Sequence, residues 1–152
     1  MSELRRIARA AQESGDPENP TPEELREILT SVRSVAVVGL SRDPTKAARR
    51  VPSYLATKGF DVIPVNPNAE RILGRESYGK LEEVEETVDL VLVFRPSEEA
   101  AQVVRRAAER PENPVIWLQE GITSPQEAAR LRATGRRLVQ DLCIFKVHRA
   151  LD

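Results

Sequence analysis

Cysteine and histidine each occur once, as Cys143 and His148, which excludes an internal disulfide framework and any metal site built from several of these residues. A solitary thiol suits a reducing cytoplasm. Charge of one sign is missing too. With 23 basic and 24 acidic residues the formal net charge is −1, so no overall field draws the chain onto nucleic acid or anionic lipid, and neither is expected as a partner. No apolar run approaches the length of a bilayer, and Met1-Ser-Glu-Leu-Arg-Arg lacks the apolar core of a signal peptide, so neither export nor membrane embedding is expected. Internal repeats and long low-complexity segments are absent.

What is present is enough for one core: 152 residues, 40% of them hydrophobic, predict a single domain over residues 1–152. Short runs rich in β-branched residues, Ser34–Val38, Asp61–Val65, Asp89–Phe94, Pro114–Leu118 and Arg137–Gln140, alternate with segments of helical periodicity. The runs are nearly continuous in apolar residues, as strands covered on both faces are. The fold class expected is therefore α/β, a Rossmann-like doubly wound sheet of about five parallel strands with helices on both faces. Helix starts are read at Asp43-Pro44, at Ser97 before Glu98-Glu99, and at Ser124-Pro125-Gln126-Glu127 as a capping box. Residues 1–30 differ. Leu4, Ile7, Ala8 and Ala11 predict one helix, and Thr21-Pro22-Glu23-Glu24 caps a second, an N-terminal helical arm of the sort that invites a homodimer.

In such sheets ligands bind beyond the carboxyl ends of the strands, at the point where the crossovers change side. The first strand ends in Gly39-Leu40-Ser41-Arg42-Asp43-Pro44-Thr45-Lys46. Gly39 permits close backbone approach or a positive φ, Ser41 and free helix N–H groups can bond phosphate oxygens, and Arg42 and Lys46 can neutralise them. The same residues also read as an ordinary turn glycine, a helix cap and two solvated cations. The dinucleotide pattern G-x-G-x-x-G is absent, which counts against an ordinary dehydrogenase. The second strand ends in Asn66-Pro67-Asn68, with no carboxylate to hold ribose hydroxyls. Amides there, with Arg71 nearby, suit an adenosine that bears an additional phosphate, a description shared by coenzyme A and NADP. The third strand ends in Phe94-Arg95-Pro96, where Phe94 is either core or pocket wall and Arg95 a candidate ligand contact.

Gly39-Leu40-Ser41, Lys46, Asn66-Pro67, Val93-Phe94-Arg95 and Trp117-Leu118-Gln119-Glu120-Gly121, in this order, resemble the small stand-alone CoA-binding proteins and the N-terminal CoA-binding domain of the succinyl-CoA synthetase α subunit. The resemblance spans about Val32 to Val147. It implies that the Gly39–Arg42 turn meets the CoA diphosphate, that Asn66-Pro67 borders the adenosine, and that Phe94-Arg95-Pro96 borders the nucleotide or pantetheine. Two departures stand out. The synthetase lysine just beyond the second strand is replaced by Asn68-Ala69-Glu70, leaving Arg71 as substitute, and the ligase half with its phosphorylated histidine has no counterpart in these 152 residues.

The remaining candidates are weaker. His148 reads as a surface residue, Cys143 as a small buried hydrophobe that could also lie near the CoA thiol, Trp117 as core, and Glu82-Glu83-Val84-Glu85-Glu86 as a solvated helix face. The reading is a non-catalytic module that binds CoA or an acyl-CoA. Alternatives are an enzyme using NADP or an acyl-CoA, for which only Cys143, Asp141 and Tyr54 offer chemistry, and a subunit supplying the CoA site to a ligase-like partner.

Overall fold

The apolar runs become strands because their side chains are needed on both faces of a sheet, and the segments between them become helices because each has one apolar stripe to bury. The computed structural model describes residues 1–151. Two helices, α1 (Glu3–Ala11) and α2 (Pro22–Ser31), precede β1 (Ser34–Val38), α3 (Ala47–Thr57) and β2 (Asp61–Val65). A small antiparallel hairpin, β3 (Arg71–Ile72) with β4 (Arg75–Glu76), and a 3-10 turn at Leu81–Glu83 lead to β5 (Leu90–Val93) and α4 (Ser97–Ala108). Then come β6 (Val115–Leu118), α5 (Pro125–Ala133), β7 (Leu138–Val139) and α6 (Ile144–Arg149).

Five strands form one parallel sheet in the order β2-β1-β5-β6-β7. Alternate residues of each strand enter opposite layers. Val35, Val37, Leu90, Leu92 and Trp117 pack with Leu25, Ile28, Val51, Leu55, Ile144 and Val147 of α2, α3 and α6. Ala36, Val91, Val93, Ile116 and Leu118 pack with Ala100, Val104, Ala128 and Leu131 of α4 and α5. The doubly wound expectation holds. Trp117 is fully buried, as expected of a core residue, and its indole N–H donates to the Leu142 carbonyl at 2.8 Å.

The arm is no appendage. Ile7, Leu25, Ile28 and Leu29 lie in the same core layer as β1 and β5, and α1 also packs on α6, where Arg6 Nε donates to the Ala150 carbonyl at 3.0 Å. The loop between α1 and α2 explains why the last strand stops short of Gln140. Asn19 Oδ1 accepts the Gln140 N–H, while Ser14 Oγ and Asn19 Nδ2 donate to its carbonyl, so those groups are taken out of the sheet ladder.

Several local expectations are corrected. Thr21 and Glu24 do form the capping box. Ser124 stands at the N-cap of α5 without making a side-chain cap, because Glu127 turns to Arg105 at 3.0 Å and the Ser124 N–H is held by Gln140 Oε1. Ser97 is the first residue of α4 and not its cap, its hydroxyl accepting from the Thr123 N–H across the sheet edge. α3 begins at Ala47 and not at Pro44, since Asp43 caps a separate turn by accepting from the amide and hydroxyl of Thr45. The acidic run forms no helix face: Val84 is buried and Glu86 binds Arg75 and Tyr78.

Candidate functional site

With the order β2-β1-β5, the crossover from β1 goes to one side and the next goes to the other, so the crevice between the carboxyl ends of β1 and β5 is the switch point. Gly39 and Phe94 face each other there. Gly39 has φ +91°, and a Cβ built on it would stand 3.1 Å from Arg95 Cδ and 3.4 Å from the Phe94 backbone, so both the turn and the close approach demand glycine. A cavity of about 720 Å³ opens beside it.

The turn from Gly39 to α3 is held from two directions. Asn66 Nδ2 donates to the Leu40 carbonyl at 2.8 Å, tying the end of β2 to the turn. The Ser41 N–H donates to the Ala48 carbonyl at 3.0 Å. That carbonyl is free because the residue four positions on is Pro52, which has no N–H to offer it. Lys46 caps α3 through backbone alone, leaving the first helical N–H groups without a side-chain cap.

Of the residues singled out in the sequence, Gly39, Ser41, Lys46, Asn66, Pro67, Phe94 and Arg95 line this cavity together. Leu40, Arg42 and Pro96 lie outside its lining: the Leu40 side chain is fully buried in the core, Arg42 is exposed, and Pro96 caps α4. Arg71, weighed as the replacement cation, instead bonds the Gly74 carbonyl in its hairpin.

The cation that sequence reasoning missed is Lys80. Residues 66–77 loop away and the chain returns through a bridge between Val65 and Tyr78, which lands Gly79 and Lys80 beside Asn66 and Pro67. Only a basic residue in a short turn marked it. Arg106 from α4 completes the positive lining, opposed by Glu82 and Glu99. Arg95 is ion-paired to Glu99 at 2.5 Å and Arg106 lies 3.7 Å from Glu82. Lys46 and Lys80 make no ion pair among the described residues. The excess is positive charge.

A second cavity, about 580 Å³, adjoins at Phe94, which lines both. Its wall includes Val51, Tyr54, Gln119, Ile122, Cys143 and Phe145. Cys143 is buried, and so is both a packed hydrophobe and a neighbour of this space. His148 is half-buried and not freely solvated: Tyr54 hydroxyl and His148 Nδ1 are 2.7 Å apart, and Tyr54 and Phe60 meet the imidazole edge to face. Burial, and then the nearby Lys58 ammonium, push the His148 imidazole below its ordinary value of 6.5. Asp141, another candidate for chemistry, accepts the Gly121 N–H at 2.7 Å and the Gly15 N–H at 2.8 Å, stapling two loops.

A parallel sheet whose strand order reverses beside a glycine turn, with cations around the crevice, defines a Rossmann-like α/β protein. More narrowly, the chain belongs to the CoA binding domain family, whose model matches residues 33–149. It is 35% identical over 131 residues to the uncharacterized protein YneT of Bacillus subtilis, covering 86% of this chain and 96% of that one. It is 28% identical over 106 residues to the ADP-forming acetate–CoA ligase II of Archaeoglobus fulgidus, covering 68% of this chain but 16% of the ligase. Among solved structures, a hypothetical protein from Pyrococcus horikoshii OT3 superposes with a TM-score of 0.83 at 29% identity, over 91% of this chain and 97% of that one. Among the described residues no helix is long and apolar enough to cross a membrane, and no three metal-binding side chains cluster.

Proposed function

We propose that the chain binds coenzyme A or an acyl-CoA in the switch-point crevice and performs no chemistry on it, in the cytoplasm that the lone thiol suits. The observation that carries this reading is a crevice in which Lys46 and Lys80 make no ion pair among the described residues, beside a glycine turn that leads into an uncapped helix. Phosphates supply the missing charge. Lys46 and the turn serve the diphosphate. Lys80, with Asn68 and Pro67, serves the phosphate on the ribose, taking the part that Arg71 was expected to play. Asn66 acts indirectly, because its amide holds Leu40.

The groups that an enzyme reading would use favour the binding reading instead. Tyr54 is engaged with His148, Asp141 with two backbone amides, and Cys143 is buried beside no evident base. The arm's apolar residues are packed inside the chain, which removes the ground for expecting a homodimer from it.

Calorimetric titration with CoA, dephospho-CoA and NADP tests the reading. CoA is expected to bind best, with Lys46→Ala and Lys80→Ala each weakening it about tenfold, the value of one charged hydrogen bond. Dephospho-CoA should be insensitive to Lys80→Ala. Binding of NADP without CoA would redirect the search to a reductase, and binding of neither would move a partner-supplied site to the front.

A further inference from the structure

We infer that Glu99 is a built-in competitor for the ligand's phosphates: it holds the Arg95 guanidinium in the free protein and yields it to a bound diphosphate, an inference that rests on CoA occupying the crevice. Arg95 is positioned by packing and aimed by charge. It lies just beyond β5, and its stem crosses the Gly39 turn, with Cδ 3.1 Å from where a Gly39 Cβ would stand. Its head goes to α4, where Nε and Nη2 both donate to the same oxygen, Glu99 Oε2, at 2.7 and 2.5 Å.

Stability does not account for this pair. The Arg95 and Glu99 side chains are 44% and 51% exposed, and an ion pair so open to water adds little to folding. Pro96 stands at the N-cap and Ser97 begins α4, so Arg95 lies outside the helix and the pair is no staple along its surface. Glu98 already gives the first turn a carboxylate to meet the helix dipole.

The place of the carboxylate is what calls for a reason. Glu99 and Arg95 line one cavity with Lys46 and Lys80. A carboxylate there repels the anion that the lysines attract, so by itself it opposes the site. The opposition has a use if Glu99 sets the charge that a ligand must bring before Arg95 is released.

A diphosphate meets that condition. The pair engages a single carboxylate oxygen, whereas a diphosphate carries two charges and presents a pair of oxygens to the guanidinium fork. With the stem already against Gly39, the exchange takes rotation about the outer bonds of Arg95, and the released Glu99 remains in solvent. Ligands without a diphosphate leave the pair closed.

The test is calorimetric titration with CoA, and in parallel with inorganic pyrophosphate, of the wild type, Glu99→Gln, Arg95→Ala and the double variant. Glu99→Gln should bind both ligands about threefold tighter, the scale of one exposed ion pair. Arg95→Ala should bind both about tenfold more weakly. In the Arg95→Ala background, Glu99→Gln should change either affinity by less than about twofold, because the partner through which it acts is gone. A merely structural Glu99 would give a loss or no change, so the sign of the effect is the readout. Unchanged or weaker binding by Glu99→Gln overturns the inference, and so does an equal gain with and without Arg95, which would reduce Glu99 to plain repulsion. If pyrophosphate binds and CoA does not, the CoA reading fails while the pyrophosphate cycle still judges Glu99; if no variant binds either ligand, both fall.

Discussion

His148 shows how a single residue can be misread when its neighbours arrive from elsewhere in the chain. Flanked by Lys146 and Arg149 it looked solvated, yet α3 brings Tyr54 to it and the chain after α3 brings Phe60. The fold favours its neutral form, since the folded value lies below the ordinary 6.5. The stability this contributes is complete above pH 6.5 and is lost as pH falls through the folded value. Urea midpoints at pH 8 and pH 5 should therefore drop further for the wild type than for His148→Gln. An equal drop in both proteins would assign the acid sensitivity to carboxylates. At the site the same limit applied. Gly39, Ser41 and Lys46 were legible because one turn carries them, and Asn66 and Phe94 because strand ends converge at a switch point. Lys80 was not, because its place depends on the Val65–Tyr78 bridge closing a long excursion.

Among the elements, strands were more legible than helix starts. The strands reflect continuous burial, which sequence displays directly, and all five appear in the sheet. Caps depend on which partner wins. Thr21 and Glu24 have no rival and form their box, whereas Glu127 has Arg105 and Arg130 within reach and leaves its own helix end open. The most informative element is α3, where Pro52 leaves the Ala48 carbonyl for Ser41. Pro52→Ala would supply a competing N–H from within the helix. The Ser41 amide, bonded to the Ala48 carbonyl although it lies in a loop, should then exchange several-fold faster than in the wild type, with weaker CoA binding. Unchanged exchange at Ser41 would show that the loop is held by Asn66 alone.

For the molecule as a whole, the family match starts at residue 33, but the fold does not. The helices before it cover one face of the sheet, so a chain cut to residues 32–152 would expose Val35, Val37, Leu90 and Leu92. That fragment should aggregate or lose its cooperative thermal transition, as circular dichroism and gel filtration would report; a folded monomeric fragment would make the arm dispensable after all. The meeting of α1 with α6 bears also on how the protein is made. On the ribosome the first helix emerges long before the last, and the layer they share cannot close until translation has almost ended. Until then the sheet has one finished face and one greasy one, a state in which a chaperone would find it. Because α1 meets α6, a linker joining the chain ends, with new ends opened at Gly59, should give a permuted chain in which that contact is local in sequence while β1 and α3 are made last.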